Sequence, residues 1–168
     1  LGRGFYRIDP ATGVPQRLTV PGLSSDGASY IDSLVNANGR LYFRPSNHAD
    51  DGTYRPLFTI DPASGAISRV AGVDNVDHLT YLQGQLLFSG NSPQGTELYR
   101  IADGQSTPQL IDVNPGGSSS PSDFTLASGH VYFIAEREGI GRELFRLDAA
   151  GSAQPVKDIW PGGGWSSP

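Results

Sequence analysis

The chain has 168 residues and a net charge of −5 with no cluster of basic residues, which excludes a nucleic-acid groove. No apolar run approaches the roughly 18 residues of a membrane span, and the absence of cysteine excludes disulfides and thiolate metal sites within this segment. Its 22 glycines and 13 prolines separate short bursts of Val, Ile, Leu, Phe and Tyr, a composition typical of short strands joined by tight turns.

The first predicted element is a short strand, Phe5–Ile8, followed by an Asp-Pro-Ala-Thr-Gly turn that ends at Gly13. The same strand and Asp/Gly turn recur from Leu57, from Leu98 and from Leu144. Asp and Gly suit such turns, because Asp hydrogen-bonds its own backbone and Gly tolerates positive φ. The pattern therefore predicts four equivalent hairpins along the chain.

A second motif is an apolar triplet that follows a glycine turn. It occurs after Gly39, Gly84 and Gly129, at two equal intervals of 45 residues. Five residues before each glycine stands an apolar residue, which is Leu34, Leu79 or Phe124. Internal repetition at this period is typical of repeat architectures built from one supersecondary unit.

Together the two motifs define a four-stranded unit. In the best-defined copy the predicted strands are Leu79–Leu82, Leu86–Phe88, Leu98–Ile101 and a fourth near Gln109–Val113. Four-stranded antiparallel units of about 45 residues predict an all-β fold, a β-propeller with three full blades and a half blade. A sandwich or a β-solenoid is the alternative, although a sandwich needs no exact recurrence and solenoid coils are usually shorter.

The predicted boundaries make residues 1–168 one propeller segment. Its units are a partial one at residues 1–30 and full ones at 31–75, 76–120 and 121–168. Three and a half units do not close a ring, so we expect a longer chain, or another chain that supplies the missing blades.

Two segments resemble the bacterial ELWxxDGT-repeat family. They begin ELYRIADG at Glu97 and ELFRLDAAG at Glu143, and Pro-Gly turns follow each. Tyr99 and Phe145 stand where that family has Trp. The Asp-Pro-Ala-(Ser/Thr)-Gly turns of the first two units are similar to those of TolB-like and prolyl-oligopeptidase-type propellers. Both resemblances imply a propeller, and the first implies an exported or cell-surface protein.

Repeated carboxylates precede the third strand and the Pro-Gly turns. Glu97 and Glu143 are expected to be buried, where they accept backbone N–H bonds and tie blades together, because buried charges need partners. Asp112 and Asp158 are expected to satisfy turn amides in the same way.

Acidic residues in the loops between the second and third strands suit calcium, which prefers several oxygen ligands. The candidates are Asp50, Asp51, Glu136 and Glu138. A solvated turn is the alternative, since the equivalent loop after Asn91 lacks acids. No other cofactor is expected.

No catalytic motif appears. The three histidines, His48, His78 and His130, fall at different phases of the repeat and are interpreted as surface residues, and no nucleophile elbow exists. Trp160 and Trp165 flank a Pro-Gly turn, where they suit contact with a glycan or protein partner, or packing between blades.

These observations favour a non-enzymatic propeller module for protein or carbohydrate binding, in an exported or surface-associated bacterial protein located at the cell surface, outside the cell or in the periplasm. Loops at residues 44–56, 89–97 and 134–143 are expected to carry specificity. One alternative is a structural subunit that contacts neighbouring chains through open edge strands. Another is a propeller attached to a hydrolase outside this segment.

Overall fold

The computed structural model describes residues 5–22, 29–47, 55–61, 63–148 and 150–159. Fourteen strands account for its regular structure, and no α-helix occurs in the part described. Accordingly, these residues include no helix that could cross a membrane.

The strands form one two-stranded sheet and three four-stranded antiparallel sheets, each in sequential meander order. The half unit pairs β1 (Phe5–Ile8) with β2 (Pro15–Leu18). The next sheet comprises β3 (Ser29–Ala37), β4 (Arg40–Asn47), β5 (Phe58–Ile60) and β6 (Ile67–Arg69). The third comprises β7 (Asp74–Leu82), β8 (Gln85–Ser92), β9 (Gly95–Ala102) and β10 (Gln109–Ile111). The last comprises β11 (Ser122–Ala127), β12 (His130–Arg137), β13 (Gly141–Leu147) and β14 (Ala153–Pro155). This is the predicted all-β propeller architecture.

The glycine turns between the first and second strands are confirmed. Gly39, Gly84 and Gly129 have φ of 87°, 74° and 75°, and each residue before them also has positive φ. Two consecutive positive φ values are what a two-residue hairpin turn requires, because its twist then matches that of the strands. The glycine motif therefore fixes the register of the first hairpin in each sheet.

The Asp/Gly turns between the third and fourth strands are also confirmed. Asp9 Oδ1 accepts the backbone N–H groups of Ala11 and Thr12 at 2.9 and 3.0 Å. These bonds hold the pKa of Asp9 below its ordinary value. Asp61 caps the equivalent turn in the next unit in the same way. The carboxylate thus replaces the backbone acceptors that the turn lacks.

An aromatic pair recurs across the second and third strands of every full sheet. The stacked rings are Phe43 with Phe58, Phe88 with Tyr99, and Phe133 with Phe145, with centroids 5.5 to 5.8 Å apart. Each pair consists of residues directly opposite one another in the ladder. Stacked cross-strand rings stabilise a sheet beyond the apolar area they bury. The rings also carry the sheet-to-sheet packing, as where Phe5 of the half unit lies 5.1 Å from Phe43.

The first strands lie innermost, because β3 contacts β7 and β7 contacts β11 across sheet boundaries. Apolar clusters fill the space between successive sheets. In the cluster between the last two sheets, Leu87 and Leu98 of one sheet pack with Phe133 and Phe145 of the next, all at most 1% exposed. Each blade therefore buries its faces against neighbouring blades.

The strands are longer than predicted at one end. Strand β7 begins at Asp74 rather than Leu79, and β8 continues through Asn91 to Ser92. Because backbone pairing tolerates polar side chains, the strands stay paired beyond the apolar residues from which they were predicted. Residues 89–97 and 134–143 are consequently hairpin ends rather than open loops, which corrects the prediction for those two segments.

Leu34 also differs from expectation. Its side chain is 52% exposed, whereas Leu79 and Phe124 at the same repeat position are buried. In β3 the register shifts between Ile31 and Ser33, before Leu34, whereas in β7 and β11 it shifts around Leu79 and Phe124. Because a one-residue shift turns side chains to the opposite face, the repeat position does not fix burial here.

Candidate binding cleft at the hairpin rim

A polar cleft of about 310 Å³ lies where the inner strand of the third sheet begins. Its walls come from the segment before β5, from the ends of β7, β8 and β9, and from the connection that leads to β11. The lining residues are Arg55, Asn75, Asp77, His78, Ser89, Asn91, Thr96, Ser120 and Pro121. Several chain segments therefore converge at one rim of the molecule, and the lining includes no Phe, Tyr or Trp.

The inner strand bulges at the cleft. Strand β7 shifts register on either side of Asp77, and His78 has φ of 55°. Asp123, one repeat later, has φ of 56° and lies in the bulge of β11. Bulges redirect side chains and are frequent beside binding sites, and left-handed backbone at residues other than glycine persists only where its surroundings hold it.

A chain of alternating charges crosses from the second sheet to the third. Arg44 donates from Nε and Nη2 to both oxygens of Asp32, each at 2.8 Å. Its Nη1 lies 2.6 Å from Asp77 Oδ1, and Arg55 Nη1 donates to Asp77 Oδ2 at 2.8 Å. Two carboxylates and two guanidinium groups are thus matched in charge.

The charge chain shifts the pKa values of Asp77 and Arg44. Burial alone raises the pKa of Asp77, but the His78 N–H and the Arg44 guanidinium outweigh burial and hold that pKa below its ordinary value. Burial likewise opposes the charged form of Arg44, yet Asp32 and Asp77 raise its pKa above the ordinary value. Both shifts favour the ionised forms of Asp77 and Arg44 at neutral pH.

Backbone contacts fix the position of Arg55 at the cleft wall. Its N–H donates to Asn75 Oδ1 at 3.2 Å, and its carbonyl accepts the N–H of Val76 at 2.9 Å. Arg44 Nη1 also donates to the Val76 carbonyl at 3.0 Å. The segment that carries Arg55 is thus attached to the start of β7, across a sheet boundary.

The opposite wall is built by the connection between the third and fourth sheets. Ser119 and Ser120 donate their N–H groups to the Thr96 carbonyl at 2.9 and 3.0 Å. The Ser118 hydroxyl accepts the Thr96 N–H at 3.0 Å. The connection is therefore held against the β8–β9 hairpin end, where it closes one side of the cleft.

Glu97 lies beneath this wall and is fully buried. Its Oε2 accepts the Val113 N–H at 3.0 Å and the Ser119 hydroxyl at 2.6 Å, and its Oε1 accepts the Ser119 N–H at 2.9 Å. Burial raises the pKa of Glu97 despite these bonds. The predicted buried, backbone-binding carboxylate is confirmed at Glu97, and Glu143 is equally buried in the next sheet.

Asp112 and Asp158 are both exposed, unlike Glu97 and Glu143. Glu97 binds the Val113 and Ser119 amides at the turn after Asp112, so the expectation for Asp112 was wrong. The turn after Asp158 lies outside the described residues, and the expectation for Asp158 stays a prediction.

The calcium candidates are only partly described. Glu136 and Glu138 lie at the end of β12, with Glu138 exposed, and Asp50 and Asp51 lie outside the described residues. Among the residues that the structure describes, no group of three or more acidic or histidine side chains is placed to hold a metal. The calcium assignment stays a prediction.

The remaining predicted residues are dispersed. Trp160, Trp165 and His48 lie outside the described residues. His78 lines the cleft, whereas His130 lines a separate groove near the turns at the opposite ends of the strands. The histidines therefore form no common site in the part of the chain described.

Sequence reasoning missed Arg44, Arg55 and Asn75. One signal was present, since Asp32 and Asp77 occupy the same position of the repeat. What the sequence does not show is that Arg44 joins these two aspartates across a sheet boundary, because residues distant in sequence make that contact.

Comparisons with known proteins support the fold. No protein-family model matches the sequence, and no curated protein matches it significantly. Among solved structures, Porphyromonas gingivalis dipeptidyl peptidase 4 matches with a TM-score of 0.63 and 17% identity, over 90% of this chain and 22% of that one. A structure from a study of two prolyl endopeptidases matches with a TM-score of 0.55 and 14% identity, over 94% of this chain and 22% of that one.

The chain thus spans about a fifth of the length of these peptidases, and the matching parts are propeller domains. The resemblance to prolyl-oligopeptidase-type propellers is supported at the level of the fold, while that to the ELWxxDGT-repeat family stays a prediction. The chain is a segment of a β-propeller.

Proposed function

We propose that this chain is a non-catalytic propeller module that binds a protein or a carbohydrate through the cleft at its hairpin rim. The observation that carries the proposal is the convergence of Arg55, the β8–β9 hairpin end and the Ser120 segment on one polar cleft. Buried ties from Arg44 and Glu97 hold these segments in place, and a preformed polar site loses little entropy when it binds.

The module acts by holding the rim rigid. The sheets fix the positions of the hairpin ends, while the side chains at those ends differ between repeats. A partner therefore recognises the side chains and not the repeated backbone. We propose that the parent protein is exported or displayed at a bacterial surface, as the ELWxxDGT resemblance implies.

A further blade, from the same chain or from another, is proposed to cover the last sheet. Leu98 in the third sheet is fully buried against the fourth, whereas the equivalent Leu144 is only half-buried. The face of the fourth sheet that carries Leu144 corresponds to the face of the third sheet that the fourth sheet covers. This correspondence supports the proposal that a further blade follows.

The test is to block the cleft. Asn91→Trp places a large ring at an exposed cleft position, and Gln105→Trp places the same ring on an exposed turn at the far end of the third sheet. Wild type and both variants are applied to glycan and peptide arrays. Ligands lost by Asn91→Trp and kept by Gln105→Trp support the proposal, and ligands kept by both contradict it.

A second candidate is a propeller domain attached to a hydrolase outside this segment. It is favoured because both structural neighbours are named as peptidases and this chain spans only 22% of each. Intact mass spectrometry of the native protein tests it. A much longer covalent chain with peptidase activity supports it, whereas a covalent chain of this length contradicts it.

A further inference from the structure

The carboxylate and amide side-chain oxygens that line the cleft already accept hydrogen bonds within the protein. Asp77 Oδ1 accepts from Arg44 and from the His78 N–H, and Asp77 Oδ2 accepts from Arg55. Asn75 Oδ1 accepts the Arg55 N–H, and Asn91 Oδ1 accepts the Thr96 hydroxyl at 3.3 Å. These acceptors are therefore occupied before any ligand arrives.

The donors are not used to the same extent. Because Asn75 presents its oxygen to a backbone N–H, which only donates, its other amide atom must be the NH₂ group. The Arg55 side chain is 44% exposed, and its contact with Asp77 involves one of its three nitrogens. Ser89 and Ser120 add hydroxyl groups, which can donate as well as accept. The Asn75 NH₂ group and most of the Arg55 guanidinium therefore remain available to donate to a ligand.

We infer that the cleft binds the carboxylate of an acidic sugar, an inference that rests on the binding function proposed above. A carboxylate is the acceptor that guanidinium and amide N–H groups recognise best. It meets no unmatched negative charge here, because Asp32 and Asp77 are each paired with Arg44, and Asp77 also with Arg55. Serine hydroxyls and asparagine amides suit the sugar's own hydroxyl groups.

The experiment is calorimetric titration of the full chain with three probes. They are galacturonate, its neutral counterpart galactose, and an N-acetylated, C-amidated aspartate that carries a carboxylate without a sugar. Asn75→Asp keeps the oxygen that accepts from Arg55 and replaces the NH₂ donor by a negative oxygen. Arg55→Gln removes the guanidinium, and Arg40→Gln removes a similarly exposed guanidinium outside the cleft.

We expect galacturonate to bind at least about tenfold more tightly than either other probe. Asn75→Asp and Arg55→Gln should each weaken it about tenfold or more, while Arg40→Gln leaves it unchanged. Equal affinity for galactose, or no effect of Asn75→Asp, overturns the carboxylate assignment. Preference for the aspartate derivative overturns the sugar assignment.

The arrays distinguish a failure of the proposed binding function from a failure of the acidic-sugar inference. If the glycan and peptide arrays yield no ligand sensitive to Asn91→Trp, the binding function itself is wrong. If they yield neutral glycans that are sensitive to it, the binding function stands and the acidic-sugar inference falls.

Discussion

Arg44 Nη1 lies 2.6 Å from Asp77 Oδ1, and this ion pair joins the second sheet to the third beside the cleft. The Arg44 residue is 8% exposed, while the side chains of its two partner carboxylates are each about a third exposed. Removing Arg44 would therefore leave two carboxylates without their main partner in a partly buried position.

We expect Arg44→Met to lower the free energy of unfolding by about 2 kcal/mol, less than for a fully buried pair because Asp32 and Asp77 are partly solvated. Arg40→Met, which disrupts an exposed pair with Asp61 at 3.6 Å, should cost under about 1 kcal/mol. Urea unfolding followed by circular dichroism compares the two. Equal losses would show that the pair between sheets contributes nothing beyond a surface contact.

Glu97 should make stability depend on pH. Its folded pKa is raised, chiefly by burial, so the unfolded state releases this proton first as the pH rises. Its contribution is complete below the unfolded pKa of about 4.3 and is lost as pH rises through the folded pKa. Since Gln does not titrate, the stability difference between wild type and Glu97→Gln should shrink from about pH 4 to pH 7.

The measurement is urea unfolding of both proteins across that range, with Asp112→Asn as an exposed neighbouring control. At every pH, Glu97→Gln should remain the less stable, because its amide presents an N–H to a backbone N–H where the carboxylate had accepted. A stability difference that grows with pH would contradict the raised pKa.

Gly151 and Arg100 meet across the boundary between the last two sheets. A Cβ at Gly151 would overlap the Arg100 guanidinium, and Gly151 has φ of 86°. Gly104, in the equivalent turn of the preceding sheet, has φ of 76° but open space around it. Gly104→Ala should cost about 1 kcal/mol through backbone strain alone. Gly151→Ala should cost slightly more, because the flexible end of Arg100 has to move and gives up its hydrogen bond to Gln109.

The two contributions separate in a double-mutant cycle. Adding Arg100→Ala should remove the extra cost of Gly151→Ala and leave the cost of Gly104→Ala unchanged. If Gly151→Ala is no worse than Gly104→Ala in thermal unfolding, the Arg100 side chain moves aside without penalty.

Tyr81 donates its phenol O–H to Asp103 at 2.8 Å from Oδ2 and 3.0 Å from Oδ1. The bond favours the protonated phenol and raises the pKa of Tyr81. The interaction is present below the unfolded pKa of tyrosine and is lost as the pH rises through the folded pKa. Asp103→Asn should return the Tyr81 pKa towards about 10. A pH titration of the tyrosine ¹³Cζ NMR signals measures this pKa directly. An unchanged titration midpoint for Tyr81 in the variant would contradict the role given to Asp103.

The sequence predicted the elements that local chemistry determines. The turns at Gly39, Gly84 and Gly129 follow from the backbone preference of glycine, and the burial of Glu97 followed from its recurrence beside the apolar residues of the third strand. Each of these depends on residues near one another in the chain, so a repeat pattern can reveal it.

The cleft could not be predicted in the same way. The contact of Arg44 with Asp77 joins different sheets, and the bulges of β7 and β11 move side chains between faces without any composition signal. The engagement of Asn75 by the Arg55 backbone likewise appears only in three dimensions. Specificity at this rim therefore depends on packing between blades, not on the repeat that builds them.

The Glu97 clamp has a mechanical consequence. One side chain binds both Val113, just after the third sheet ends, and Ser119, three residues before the fourth sheet begins. Tension applied along the backbone would therefore load this carboxylate before the connecting segment 113–119 could extend. The length of chain released between the two blades under force should consequently depend on whether Glu97 still holds both amides.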